Sequence, residues 1–208
     1  PPRSTLFPYT TLFRSGLFRN QQLAGIADAA RKPTSDDVGI KDDEIKVSIE
    51  GAQKKQQTER GTDVTIFSPR AAGMAHHVGP EAVSQQWTRI CNDLIYRVTE
   101  LFPKNFIGVC QLPQSQGVSP ANSIAELERC VKMGFVGCNL NPDPSGGYFN
   151  SPPMTDKSWF PLYEKMIELD CPCMIHVSGC CNPAMHTTGS YYLNADTMVF
   201  MQVILSDL

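Results

Sequence analysis

Short apolar segments with the composition of β-strands alternate along most of this chain with amphipathic segments that have the spacing of α-helices. The predicted strands cover residues 64–67, 106–112, 135–140 and 174–176. Their centres lie roughly 30 to 40 residues apart, which is the length of a strand–helix–strand unit. Alternation of this kind builds a parallel sheet, so we expect either an open doubly wound sheet or a (β/α)₈ barrel.

The predicted helices carry start or stop signals in the sequence. They are expected at residues 42–60, 81–102, 123–133, 158–169 and 195–205. Gly61 and Pro103 follow the first two, as is typical of helix ends. Ser123 with Glu126 predicts a capping box for the third helix, and Ser158 predicts the N-cap of the fourth.

Two features favour the barrel over the open sheet. Arg70, Asn139 and His176 lie at or just beyond the ends of predicted strands, and barrel enzymes assemble their sites at the carboxyl ends of strands. No G-x-G-x-x-G phosphate turn follows any predicted strand, which counts against a dinucleotide-binding sheet. The predicted fold class is therefore α/β, as part of a (β/α)₈ TIM-type barrel.

The composition restricts the class of partner. The chain has 208 residues, of which 41% are hydrophobic and 19% charged, as suits one globular domain. Its 18 basic and 21 acidic residues give a net charge of −3 without a Lys/Arg cluster, so neither a nucleic acid nor a membrane is expected as partner. We expect a cytoplasmic protein that acts on a small molecule.

The eight cysteines allow two interpretations. Most lie within apolar strand or helix patterns, which favours reduced thiols used as small hydrophobic side chains. A closed zinc site built from the cysteines at 171–181 with His176 and His186 is the alternative. Neither C-x-C nor C-C has the usual C-x₂₋₄-C spacing, so this alternative is weaker.

Residues 1–15 do not match the pattern of the rest of the chain. The string TLFPYTTLFRS follows neither a helical nor a strand period, and it resembles translated sequencing-adapter text. We interpret 1–15 as a non-native segment and 16–208 as an incomplete barrel domain.

The segment 171–196 is the candidate site. An apolar run ends at His176, and a loop follows that contains Ser178, Asn182, His186 and Tyr192. A titratable side chain at the end of a buried strand, beside hydrogen-bonding groups, is typical of a metal or catalytic site. A hydrogen-bonded core histidine is the alternative at this stage.

Six segments of the chain together resemble the 4-oxalomesaconate hydratase family, in the decarboxylase-like, metal-dependent branch of the amidohydrolase superfamily. They are DVTIFSPR (63–70), FIGVCQLPQS (106–115), SIAELERCV (123–131), GFVGCNLNPDPSGGYF (134–149), PLYEKMIELD (161–170) and MIHVSGCCNPAMHTTGSYYLNADT (174–197). The resemblance implies a zinc-dependent hydro-lyase of aromatic-acid (protocatechuate) breakdown that acts on a small polycarboxylate.

The resemblance also implies roles for residues. His176 matches the metal ligand at the end of the fifth barrel strand, so the predicted strands would be strands two to five. The H-x-H ligand pair of the first strand is absent, and strands six to eight would follow Leu208, so one metal ligand alone is expected here.

For the substrate, the resemblance points to Arg70 as a carboxylate anchor and to Tyr192 as a proton donor or hydrogen-bonding catalytic group. Asn182 and Ser178 are candidate partners for substrate oxygens, although such residues often serve turns. His77 and His186 are more simply explained as loop or surface groups, and the general base is expected in the missing C-terminal part.

Other functions stay open at this stage. A decarboxylase or hydrolase of the same superfamily would share the metal and the fold, and a non-catalytic fragment is a different class. A half-barrel would expose a sheet edge and apolar helix faces, so poor solubility or association is expected, and a homo-oligomer is an open option.

Overall fold

The strands form one parallel arrangement in the order in which they occur in the chain. The computed structural model describes residues 21–22, 24–176, 181–183 and 201. Within these residues the strands are β1 (Thr65–Phe67), β2 (Phe106–Gly108), β3 (Cys110–Gln111), β4 (Cys138–Leu140) and β5 (Cys173–Ile175). β1 pairs with β2, β3 with β4, and β4 with β5, and every pair is parallel.

β2 and β3 are separated by the single residue Val109, and backbone hydrogen bonds connect the two sets of strands there. The N–H of Val109 donates to Phe67 O (2.9 Å), and the N–H of Cys110 donates to Gly137 O (3.0 Å). On the other side, the N–H of Val136 donates to Gly108 O (2.9 Å). The described strands therefore follow one another without the order reversal that marks a doubly wound sheet.

Five helices that lie wholly within the described residues connect or precede these strands. They are α1 (Ser35–Val38), α2 (Asp42–Ile49, continued by the π-helical Glu50–Lys54 and by Lys55–Arg60), α3 (Glu81–Leu101), α4 (Ile124–Lys132) and α5 (Phe160–Glu168). Single 3₁₀ turns occur at Ala71–Gly73, Pro120–Ser123 and Lys157–Trp159.

None of the helices in the described ranges combines the length and the apolar character needed to cross a bilayer.

Both predicted helix caps are wrong. A 3₁₀ turn precedes α4, so Ser123 lies inside a helical turn and its Oγ bonds to Pro113 O (3.4 Å) instead of a helix N–H. Glu126 pairs with Arg129 rather than with a cap. At the next helix, Asp156 is the capping residue, because its carboxylate accepts from the N–H of Ser158 (2.8 Å).

Two hydrophobic clusters fill the space between the sheet and its helices. The first joins α2 and α3 to β2, with Ile45, Ile49, Trp87, Leu94, Val98 and Phe106 among its members. The second joins α4 and α5 to β3 and β4, with Cys110, Leu127, Cys138, Leu140, Trp159 and Leu162 among its members. Phe67 packs against both clusters. This layer of helices on one side of the sheet is what holds the strand ends in place.

The opposite side of the sheet, here called the inner face, carries no described helix. Side chains alternate along a strand, so Ile66, Ile107 and Met174 lie on this face, with exposed fractions of 65%, 37% and 53%. Gln111 and Asn139 share the face and are buried. This exposed apolar surface lies on the strands, whereas the sequence predicted exposed apolar area on helix faces.

Candidate active site at the carboxyl ends of the strands

His176 lies directly after β5, at the carboxyl end of the sheet. Its backbone N–H donates to Leu140 O (2.7 Å), which extends the pairing of β5 with β4 by one residue. His176 follows Met174 by two residues, and Met174 is in register with Asn139 on the inner face. The exposed imidazole thus lies on the inner face, at the carboxyl end of the sheet.

Polar side chains below His176 connect β1, β3 and β4 across the inner face. Asn139 Nδ2 donates to Ser68 Oγ (3.3 Å), and Gln111 Nε2 donates to Pro69 O (3.2 Å). Asn139 Oδ1 is buried and has no hydrogen-bond partner among the residues described. The bond from Asn139 reaches from β4 to the end of β1, across the run formed by β2 and β3, and the bond from Gln111 joins the ends of the neighbouring β3 and β1.

A buried network on the helix side fixes β3. Asn92 of α3 exchanges two hydrogen bonds with the backbone of Gln111, both 2.9 Å, and also donates to Glu126 Oε1 (2.8 Å). Arg129 pairs with Glu126 (2.7 Å) and with Asp93 (2.6 Å). The hydrogen bond with Glu126 raises the pKa of Arg129, which therefore stays charged. Such charge-assisted bonds hold α3, α4 and β3 in one geometry.

The loops after β3 and β4 are joined by two reciprocal hydrogen bonds between a side-chain amide and the backbone. Gln114 Nε2 donates to Asn141 O (2.9 Å), and the N–H of Asn141 donates to Gln114 Oε1 (2.7 Å). Gln114 O in turn accepts from Ser84 Oγ of α3 (3.0 Å). All three residues are buried, so these bonds are protected from competition with water.

Asp143 organises the segment that follows, residues 143–149, which we call the 143–149 loop. Its buried carboxylate accepts from the N–H and the hydroxyl of Ser145, from the N–H of Gly147 (2.8 Å) and from the N–H of Phe149 (3.2 Å). Phe149 has a φ of 52°, which costs energy in a residue with a side chain. Since the N–H of Phe149 is one of the four donors, Asp143 stabilises that strained backbone directly.

The 143–149 loop contacts the segment that follows His176. The N–H of Cys181 donates to Gly146 O (2.7 Å), and Asn182 Nδ2 donates to Gly147 O (2.9 Å). The hydroxyl of Tyr148 lies 3.4 Å from Cys181 O. Asn182, predicted to bind substrate, therefore uses a side-chain N–H to hold two loops together.

The same loop packs against His77 of the segment after β1. Gly146 has a φ of 76°, and a Cβ there would lie 2.9 Å from Cγ of His77. Glycine is required at this position both for the backbone conformation and for the close approach of the ring. The loops after β1, β4 and β5 thus meet at Gly146.

Arg70 follows β1 by three residues and is exposed. Among the residues that the structure describes, no hydrogen bond or ion pair engages its guanidinium group. An unpaired guanidinium near the carboxyl end of β1 has all its donors available for an anion.

The cysteines of the described ranges are free thiols. A hydrogen bond with Cys130 and burial raise the pKa of Cys110, and a hydrogen bond with Cys171 and burial raise the pKa of Cys138. The prediction of reduced thiols used as small core side chains is confirmed for Cys91, Cys110, Cys130, Cys138 and Cys171, which are buried. In the described ranges, no three or more His, Cys, Asp or Glu side chains form a group that could hold a metal ion.

Ser178, His186 and Tyr192 lie outside the described residues. Of the predicted site residues, the structure places His176, Arg70 and Asn182 at the carboxyl side of the sheet. Asp143 was not among the candidates. The sequence signal that marks it is Asp143-Pro144-Ser145-Gly146-Gly147, which is typical of a turn built on an aspartate side chain.

Comparison with known protein families identifies the family to which the chain belongs. Residues 11–208 match the family described as Amidohydrolase. The chain belongs to the amidohydrolase family. This amidohydrolase has an α/β fold of the TIM-barrel type, in which the carboxyl ends of the strands carry the active site.

Relatives of this amidohydrolase include characterised hydratases. It is 57% identical over 192 residues to 2-keto-4-carboxy-3-hexenedioate hydratase of a Sphingobium species, covering 92% of this chain and 56% of that protein. The crystal structure of 4-oxalomesaconate hydratase from Rhodopseudomonas palustris matches with a TM-score of 0.74 and 51% identity, covering 95% of this chain and 54% of that one.

A more distant match supports the fold alone. The structure of 5-carboxyvanillate decarboxylase from Novosphingobium aromaticivorans, complexed with manganese, matches with a TM-score of 0.60 and 16% identity, covering 91% of this chain and 56% of that one. This amidohydrolase spans about half the length of the relatives that it matches. The proposed boundary between residues 1–15 and 16–208 stays a prediction.

Proposed function

We propose that this chain supplies part of the active site of a metal-dependent hydratase that adds water to a carbon–carbon double bond of a small polycarboxylate, 4-oxalomesaconate. The 57% identity to the Sphingobium hydratase over 92% of the chain is the observation that carries the proposal. The placement of His176 and Arg70 at the carboxyl side of the sheet supports it, because this is where barrel enzymes bind substrate.

His176 is proposed as a ligand of a divalent metal, with zinc as the metal. An exposed imidazole held at a strand end by its own backbone bond to Leu140 is suited to that role. Part of the ligand set is proposed to lie outside the described residues, since those contain no group of three metal-binding side chains. Bound there, the metal would supply a water of lowered pKa at neutral pH.

The remaining site residues are proposed to act on the substrate. Arg70 would bind a carboxylate through its planar guanidinium group. Tyr192 would donate a proton or a hydrogen bond, and Ser178 and Asn182 would hydrogen-bond substrate oxygens. The side chain of Asn182 also donates to Gly147 O, which holds Asn182 against the 143–149 loop.

We also propose that the described strands, with β2 and β3 counted as one, are strands two to five of an eight-stranded barrel. The exposure of Ile66, Ile107 and Met174 on the inner face supports this, since such side chains are covered in a closed barrel. A cytoplasmic location and assembly into a homo-oligomer are part of the same proposal.

A chimaera tests the proposed reaction. The matching 192 residues of the Sphingobium hydratase are replaced by those of this chain, zinc is added, and loss of 4-oxalomesaconate is followed by absorbance. Substrate consumption is expected, with no release of CO₂ from 5-carboxyvanillate. A folded, zinc-loaded chimaera that leaves 4-oxalomesaconate unchanged would reject the hydratase function, and release of CO₂ would favour the decarboxylase.

Metal analysis of the 208-residue chain tests the role of His176 separately. One ligand is expected to hold no stoichiometric zinc after gel filtration. Stoichiometric zinc in the purified chain would contradict the proposal that the ligand set is incomplete.

A further inference from the structure

We propose that Asp143 is a positioning residue of the candidate site: through the 143–149 loop it holds Cys181 and Asn182, the second of which is a proposed substrate contact. This inference rests on the proposed function for its catalytic part, because it concerns the placement of Asn182, a proposed substrate contact. It does not require Asp143 to touch metal or substrate.

The carboxylate of Asp143 determines the conformation of the loop. Asp143 is buried, and each of its two oxygens accepts two hydrogen bonds: Oδ1 from Ser145, and Oδ2 from the N–H groups of Gly147 and Phe149. A carboxylate is the one side chain of this size that can accept at both positions at once. An amide at this position would turn an N–H toward donors on one side, so the loop would lose two of its four bonds.

The loop in turn presents two carbonyl groups to the segment after β5. Gly146 O accepts from the N–H of Cys181 and Gly147 O accepts from Asn182 Nδ2, and these two carbonyls lie between the residues whose N–H groups Asp143 binds. Tyr148, between Gly147 and Phe149, adds its hydroxyl contact to Cys181 O. Any change in the loop backbone therefore moves the acceptors of Cys181 and Asn182.

His176 is anchored at one side by Leu140 of β4, and the segment five residues later is anchored by the loop that follows β4. His176 and Cys181 are thus tied to the same strand and to the loop that follows it. Residues that are held in this way lose less conformational freedom when a ligand binds. The structure assigns the second of these two anchors to Asp143.

The first experiment measures hydrogen exchange of the Cys181 backbone amide in the 208-residue chain, with the amides of α3 as internal reference. Asp143→Asn is expected to accelerate exchange at Cys181 by at least about tenfold and to leave α3 unchanged. The matched control is Asp156→Asn, an exposed aspartate that caps a helical turn, which should leave Cys181 unchanged. Exchange at Cys181 within twofold of the parent in Asp143→Asn would overturn the proposal.

A milder variant covers the case in which Asp143→Asn does not fold. Ser145→Ala removes one hydroxyl donor to Asp143 and leaves the carboxylate in place. It is expected to accelerate exchange at Cys181 by a smaller factor, about threefold. No acceleration in a folded Ser145→Ala chain would overturn the proposal.

The second experiment uses the chimaera and separates kcat from KM. Asp143→Asn is expected to lower kcat at least about tenfold and to raise KM by a smaller factor, because Asn182 is displaced with the loop whereas Arg70 lies on a different loop. A parent-like kcat, despite faster exchange at Cys181, would overturn the positioning role. If the chimaera is inactive with all residues native, the proposed function fails, while the exchange experiment still decides whether Asp143 holds Cys181.

Discussion

The backbone N–H of His176 donates to Leu140 O over 2.7 Å, so parallel pairing of β5 with β4 continues to the residue that carries the exposed imidazole. The position of the imidazole is thus set by main-chain geometry and by the packing of Leu140 in the second cluster. Side-chain substitutions at 176 should therefore separate chemistry from folding.

His176→Ala removes the imidazole and keeps the backbone bond to Leu140. The free energy of unfolding is expected to change by less than about 0.5 kcal/mol, because the side chain is exposed. In the chimaera the rate should fall at least about a hundredfold, with loss of bound zinc. Thermal unfolding, zinc content and substrate absorbance measure the three effects. Cys173→Ala, an exposed change on the same strand, is the control, and a zinc-loaded, fully active His176→Ala chimaera would contradict the metal role.

Arg70→Lys keeps the positive charge and removes the planar pair of donors. If Arg70 binds a substrate carboxylate, KM of the chimaera should rise roughly tenfold with a smaller change in kcat. Arg60→Lys, an exposed change at the end of α2, should leave both constants unchanged. Steady-state kinetics decide, and equal KM values for the parent and Arg70→Lys would remove Arg70 from the site.

Gly108→Ala should destabilise the fold. A Cβ at Gly108 would lie 3.0 Å from two ring carbons of Phe135, which is buried in the second cluster. Overpacking of this kind costs about 1–3 kcal/mol. Gly51→Ala is the matched control, because nothing lies within 4 Å of its Cβ position in α2, and alanine there should stabilise by about 0.5–1 kcal/mol. The urea midpoints of the two variants are compared. Equal midpoints would show that the Phe135 ring moves aside without lowering the free energy of unfolding.

The buried thiols predict how stability depends on pH. The pKa of Cys110 and of Cys138 is raised in the folded chain, while the unfolded thiols ionise near their ordinary value of 9.0. Above that pH the unfolded state has lost protons that the folded state keeps. The free energy of unfolding should therefore fall as pH rises, by about 1.4 kcal/mol per pH unit for each such thiol, and should not change from this cause below pH 9.

Urea unfolding between about pH 8 and about pH 10.5 checks this dependence. Cys110→Ala should reduce the slope, and Cys181→Ala, which alters an exposed thiol, should not. A slope in Cys110→Ala equal to that of the parent would show that Cys110 contributes nothing to the alkaline loss of stability.

The sequence predicted the helices and strands well where the pattern of apolar residues is set by burial on one side. α3 is an example, since Val83, Trp87, Leu94 and Val98 repeat at helical spacing and all pack in the core. The break between β2 and β3 at Val109 was not predictable from residues 106–112. It arises because β2 pairs with β1 whereas β3 pairs with β4. The caps failed for a similar reason: Ser123 and Ser158 have the right chemistry, but 3₁₀ turns already occupy those positions.

In the candidate site, the position of His176 was predictable because a polar residue ends an apolar run. The role of Asp143 was not, because its partners are mostly backbone N–H groups of nearby residues, and any turn-forming sequence offers those. The link from Gly147 to Asn182 joins residues 35 positions apart. Such pairings become visible only when the strands that carry both loops are placed side by side.

The two hydrophobic clusters lie between the sheet and its helices, and neither includes Ile66, Ile107 or Met174. We therefore expect a nascent chain to be able to bury both clusters once Cys171, the last buried member of the second cluster, has been synthesised. Packing around Trp87 and Trp159 would then not depend on whether the inner face is covered.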